Sequence, residues 1–156
     1  MPERSLFRRI IDELGKSGLI LRGDPPKVID LAGREWGQAK GGMALSLTAQ
    51  GAGLSVVLRN VGEERRVLAV PGWLHFFEIF LQAPDGSPAA LTSYGRRALQ
   101  PGAAATLMHV ALAANQAVEV DVPIAVLYQM QAQGTYSAQL QCAVLGIQSN
   151  RCVLVK

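Results

Sequence analysis

Cysteine and histidine are both scarce in this chain of 156 residues, with two of each. Cys142 and Cys152 are too few to define a disulfide framework or a redox compartment. His75 and His109 do not stand in a metal-ligand spacing and read as ordinary strand residues, so neither a metal site nor a cofactor is expected. A Gly-x-Ser-x-Gly elbow is also missing, and Ser87 and Ser93 lie in loops with nothing beside them in sequence to activate a hydroxyl. Gly41 and Gly42 precede a strand and not the helix and Lys-Ser/Thr of a phosphate-binding loop, which disfavours nucleotides. Glu119 and Asp121 fall on the polar side of a strand, where solvation alone explains them. With no acid, base or nucleophile grouped together, the chain is not expected to be an enzyme.

Long apolar runs are absent as well. The most apolar stretch, Trp73 to Leu81, is interrupted by His75 and Glu78, so no membrane-spanning segment is expected. Charge of one sign does not accumulate: 15 basic and 12 acidic residues are interleaved, as in Glu63, Glu64, Arg65, Arg66, which is not a nucleic-acid footprint. Ile10 and Ile11 are followed at once by Asp12 and Glu13, so the chain as given shows no signal-peptide core, and the compartment stays open.

What the chain does have is apolar content, 49% of its residues, and 16 glycines, a combination that suits one well-buried core and many turns. Residues 1–42 read as an N-terminal helix and connector, and 43–156 as a β-sandwich domain. Ser5 can cap a short amphipathic helix with Leu6, Phe7, Ile10, Ile11 and Leu14 on one face and Gly15 as its stop. The connector from Lys16 to Gly42 is expected to contribute at most a short strand at Lys27 to Leu31.

After Gly42 the period changes to two. Met43, Leu45 and Leu47 share a face, as do Leu54, Val56 and Leu58, and a turn at Asn60 to Glu63 leads to Arg66 to Val70 as a hairpin. Trp73 to Leu81 reads as a strand apolar on both faces, which must be covered twice, once by the N-terminal helix or the connector. The turn Ala83 to Pro88 should reverse the chain into Ala89 to Thr92, followed by a loop from Tyr94 to Gly102. Thr106 to Leu112 and Val118 to Val122 alternate as half-buried strands. In the clearest strand Tyr136, Ala138, Leu140, Cys142 and Val144 face inward and Ser137, Gln139 and Gln141 face water, before a turn at Gly146 to Ser149 and a last strand at Arg151 to Val155.

The stretch Gly134, Thr135, Tyr136, Ser137, Ala138 resembles the Gly-x-Tyr-x-(Cys or small) pattern that opens a late strand in immunoglobulin-like and fibronectin-type domains, where the tyrosine forms a corner by bonding nearby backbone. With Asn60-Val61 after the alternating Leu54 to Leu58, and with the Asp85-Gly86 turn, the chain resembles bacterial immunoglobulin-like sandwich domains, including those similar to the intracellular proteinase inhibitor family. The resemblance covers Trp36 to Leu145. It implies a mainly β fold, an antiparallel immunoglobulin-like β-sandwich with a short N-terminal α-helix, and a tendency toward binding or inhibitory roles. Ala138 stands where antibody domains carry their second core cysteine, so the usual inter-sheet disulfide is not implied.

Tyr94, Arg96 and Arg97 form the most suggestive binding loop, because an aromatic ring beside two guanidinium groups can stack on a partner and bond it bidentately. Trp36 and Trp73, each beside a glycine, read as plugs at the ends of a core. For Cys142 and Cys152 two readings stand: a cross-strand disulfide over the turn between them, or a free thiol at Cys142 facing the core. The resulting expectation is a non-enzymatic module that binds another protein, through that loop or an exposed strand edge. A proteinase inhibitor and a structural subunit of a larger assembly are the alternatives.

Overall fold

The computed structural model describes residues 29–102 and 107–156. The helix expected after Ser5 lies outside the described residues. Of the strand expected at Lys27 to Leu31, the described part, 29–31, is not strand.

The fold is mainly β, and every strand pairing is antiparallel. β1 (Met43–Gln50), β2 (Gly53–Asn60) and β6 (Ala117–Val122) form one sheet in the order β1-β2-β6. β3 (Arg66–Val70) and β5 (Met108–Leu112) form a second. In the third, β7 (Thr135–Cys142) has β4 (Glu78–Gln82) on one side and β8 (Ile147–Gln148) with β9 (Cys152–Val155) on the other. Among the described residues three short helical turns interrupt the strands: α1 (Trp73–Phe76), α2 (Ser93–Ala98) and α3 (Ile124–Leu127). All three sheets supply side chains to one apolar cluster, among them Leu45, Leu58, Leu68, Val110, Leu81 and Leu140.

Alternation explains these faces, as anticipated for Met43, Leu45, Leu47, Leu54, Val56 and Leu58, all buried. Four sequence expectations are corrected. Arg66 to Val70 does not fold back on β2 but pairs with β5. The cause is Asn60, fully buried, whose side-chain amide donates to Glu64 O (2.7 Å) and Leu112 O (2.9 Å) and accepts from Gly62 N (3.0 Å), so the chain is steered into the next sheet.

Trp73 to Leu81 is not one strand. Gly72, at φ 120°, lets the chain enter the single turn α1, in which the His75 and Phe76 N–H groups donate to Gly72 O. That turn gathers Trp73, Phe76 and Phe77 into an aromatic group with centroid separations of 5.4 to 5.8 Å, and only then does β4 begin. Its outer face is open, because Phe80 is 46% exposed, so the double cover expected for this strand is not needed.

Ala89 to Thr92 is not a strand: Leu91 makes an isolated bridge to Tyr128, and the preceding Pro88 one to Gln82. The loop expected after it contains α2, capped by the Thr92 hydroxyl, which accepts from Gly95 N at 2.9 Å. Gly95 is required there, since a Cβ would stand 2.0 Å from Leu127 O. Finally, β7 ends at Cys142 and Val144 is 78% exposed, because the turn falls at 143–146, with Gly146 at φ 68°.

Candidate binding face

The third sheet has one face in the core and one in water, and alternation along β7 decides which residues go where. Tyr136, Ala138, Leu140 and Cys142 are buried, while Ser137, Gln139 and Gln141 point outward. The strand is anchored at its start by the Tyr136 hydroxyl, which donates to Ala132 O at 2.9 Å.

Register then lines up the outward side chains in rows across the strands: Glu78, Gln141 and Gln148 in one, Phe80 and Gln139 in the next, Gln82, Ser137 and Val153 in a third. Between β8 and β9 the row is broken by a bulge. Leu140 and Gln139 of β7 are opposed by three residues, Ser149, Asn150 and Arg151.

The bulge is held by hydrogen bonds centred on Ser149. Ser149 N donates to Leu140 O, the Ser149 hydroxyl accepts from Leu140 N and donates to Asn150 O, and Gln139 Nε2 donates to Ser149 O at 3.0 Å. It also turns Asn150 toward β1, where its amide accepts from Leu47 N (2.8 Å) and donates to Leu47 O (2.9 Å), tying the first sheet to the third. Arg151 is left exposed on the outer side.

Two grooves share this surface. One, of about 270 Å³, runs over Phe80, Gln82, Ser137, Gln139 and Arg151. The other, of about 640 Å³, runs past Gln38, Lys40 and Gly146, and both have Gln139, Gln141 and Gln148 as their floor. Among the described residues, the side-chain amides of Gln82, Gln141 and Gln148 make no hydrogen bond with the protein. The charged groups Glu78, Lys40 and Arg151 stand at the margins.

The residues singled out from sequence lie elsewhere. Tyr94, Arg96 and Arg97 are exposed on α2 and not in a loop, and the Arg96 guanidinium is occupied locally, donating to Leu91 O (3.1 Å) and Ser93 Oγ (3.2 Å). The disulfide between Cys142 and Cys152 is not formed: β7 register sets Cys142 opposite Ile147 and Cys152 opposite Ala138, four residues apart along the strand, and both are free thiols. Burial pushes both thiols above their ordinary pKa, which makes them poor nucleophiles at neutral pH.

His75 sits at 3.3 Å from Gln100 O, and His109 is exposed on β5. Among the described residues no three His, Cys, Asp or Glu side chains are grouped to hold a metal. No helix among the described residues is long and apolar enough to cross a membrane. Glu119 is not the solvated strand residue expected: its carboxylate accepts from the Ser55 hydroxyl (2.6 Å) and pairs with Arg34 at 3.0 Å. The glutamine face was present in the sequence as alternation along β7, but its continuation onto β4 and β8 required the register. No protein-family model and no curated protein matches the chain.

Proposed function

We propose that this chain is a non-enzymatic binding module, an antiparallel immunoglobulin-like β-sandwich, that engages its partner through the open face of β4, β7, β8 and β9. The observation that carries this reading is the shared floor of the two grooves, Gln139, Gln141 and Gln148, where the Gln141 and Gln148 amides have no partner in the protein. Recognition sites place a few polar groups beside apolar surface in a concavity, and here these amides stand beside the exposed ring of Phe80. The Tyr136 hydroxyl bonded to backbone four residues upstream supports the immunoglobulin-like part of the reading, as does one core shared by all sheets. The sequence-derived α2 site is weaker, because Arg96 already spends its guanidinium on its own helix turn.

A photo-crosslinking amino acid placed at Gln141 tests the proposal. Irradiation in a lysate of the source cells should give discrete adducts from position 141 and none from the same group at Arg97. Adducts from Arg97 and none from position 141 would refute it.

A second reading, a proteinase inhibitor, is favoured by one loop. Ala83 to Pro88 is exposed but held by internal bonds: Asp85 accepts from the Ser87 hydroxyl (2.6 Å) and Ser87 N (3.0 Å), and Ala83 and Ser87 bond across the turn. The Ser87 hydroxyl holds the Asp85 carboxyl below its ordinary pKa, so this brace persists into mild acid. An inhibitor would leave that loop uncut by a proteinase it blocks; ready cleavage at 84–87 removes the reading.

A further inference from the structure

The chemistry of the open face specifies a class of ligand, an inference that rests on the binding-module reading. From the same geometry we infer that the face takes a neutral polysaccharide chain. Each glutamine amide carries donors and an acceptor side by side, which matches sugar hydroxyls, since these also do both. Gln82, Gln141 and Gln148 offer such amides with no protein partner, and Ser137 adds a hydroxyl. Phe80 lies in the row beside Gln139 and is 46% exposed, an apolar platform for the C–H face of a sugar ring.

Charge complementarity points the same way. The floor is uncharged, with Glu78 at one margin and Lys40 and Arg151 at others, so the face selects neither an anionic nor a cationic chain. A peptide added as a strand would pair with the backbone edge of β4, β8 or β9, whereas the unpaired amides project from the face of the sheet. The two grooves share Gln139, Gln141 and Gln148, so the polar lining extends from Gln82 to Lys40, a span suited to a chain and not to a single small molecule.

The test is affinity electrophoresis of the full chain through gels containing neutral glucans, mannan or xylan, followed by calorimetric titration with the hexasaccharide of any that retards it. At least one should bind. Phe80→Ala and the double variant Gln141→Ala, Gln148→Ala should each weaken that binding about tenfold or more, with unchanged melting temperature. Arg96→Ala with Arg97→Ala should bind as the wild type does, and raising salt to about 0.5 M should leave the affinity unchanged, as expected of uncharged contacts.

Retardation by none of these polymers, or equal retardation of the wild type and both face variants, overturns the inference. A protein crosslinked at Gln141 without any sugar binding overturns it too but leaves the module standing. Absence of both sugar binding and adducts at Gln141 removes the module reading with it.

Discussion

The outer faces of the first and third sheets carry similar polar residues in similar alternation, yet one is closed and the other open. On β1, β2 and β6, Ser46, Ser55 and Val57 are buried although they point away from the main core. Residues 34 and 35 lie over them: Ser46 donates to Glu35 O at 2.6 Å, and Arg34 reaches Thr48, Ser55 and Glu119. On β4, β7 and β8 the corresponding glutamines meet water. A polar residue on a strand is thus a clamp or a contact according to what crosses above it, and the strand's own pattern is the same in both cases.

That difference should appear in stability. The largest effect is expected for Glu119→Ala, which leaves the Arg34 guanidinium, with its side chain only 14% exposed, beside Ser55 without its carboxylate. Loss of one partner of such a pair should cost about 3 kcal/mol, read as a lower urea midpoint. A midpoint within error of the wild type would mean that the closed face is no more structural than the open one.

Asn150→Ala strands both the N–H and the C=O of Leu47 where the two sheets meet, and should lower the free energy of unfolding by about 2 kcal/mol. Tyr136→Phe keeps the ring but removes the bond to Ala132, an expected loss of about 1 kcal/mol by calorimetry. The smallest effect belongs to the open face: Gln141→Ala with Gln148→Ala should stay within about 0.5 kcal/mol of the wild type in chemical denaturation. A larger loss would turn these glutamines from contacts into clamps.

Groups packed in or against the shared apolar core give a pH signature. Burial raises the pKa of Cys142, Cys152 and Tyr128 in the folded chain, so above the unfolded values the folded state holds protons that the unfolded state releases. Their contribution is therefore intact below the unfolded cysteine value of about 8.5 and is lost as the pH rises from there through the raised folded values. Melting temperatures measured across that range should fall on the alkaline side, less steeply in Tyr128→Phe.

Much of this fold was legible where alternation was clean and the turn chemistry local. β1, β2, β6 and β7 follow from period-two patterning, and the inward and outward sides of β7 were correct as far as Cys142. Pairing was less legible, because register depends on distant bonds: Asn60 looked like a turn residue and is a buried hub linking β2 to β5. Trp73 to Leu81 misled because a one-turn helix and a strand can both be wholly apolar, and only the φ of Gly72 separates them. The candidate site was half visible. Gln139 and Gln141 stood out as solvent-facing, but Phe80, Gln82 and Gln148 join them only once β4 and β8 are set beside β7.

The Asn150 amide has one more consequence. An outermost strand with unpaired backbone groups is a template on which another chain can polymerise. On the side of β1 away from β2, Leu47 is satisfied by the Asn150 side chain, and Leu45 O by Gly37 N at 2.9 Å. The Asn150 side chain, aimed by one extra residue in a neighbouring strand, and the backbone of Gly37 therefore cover part of the β1 border that an added chain would otherwise pair with.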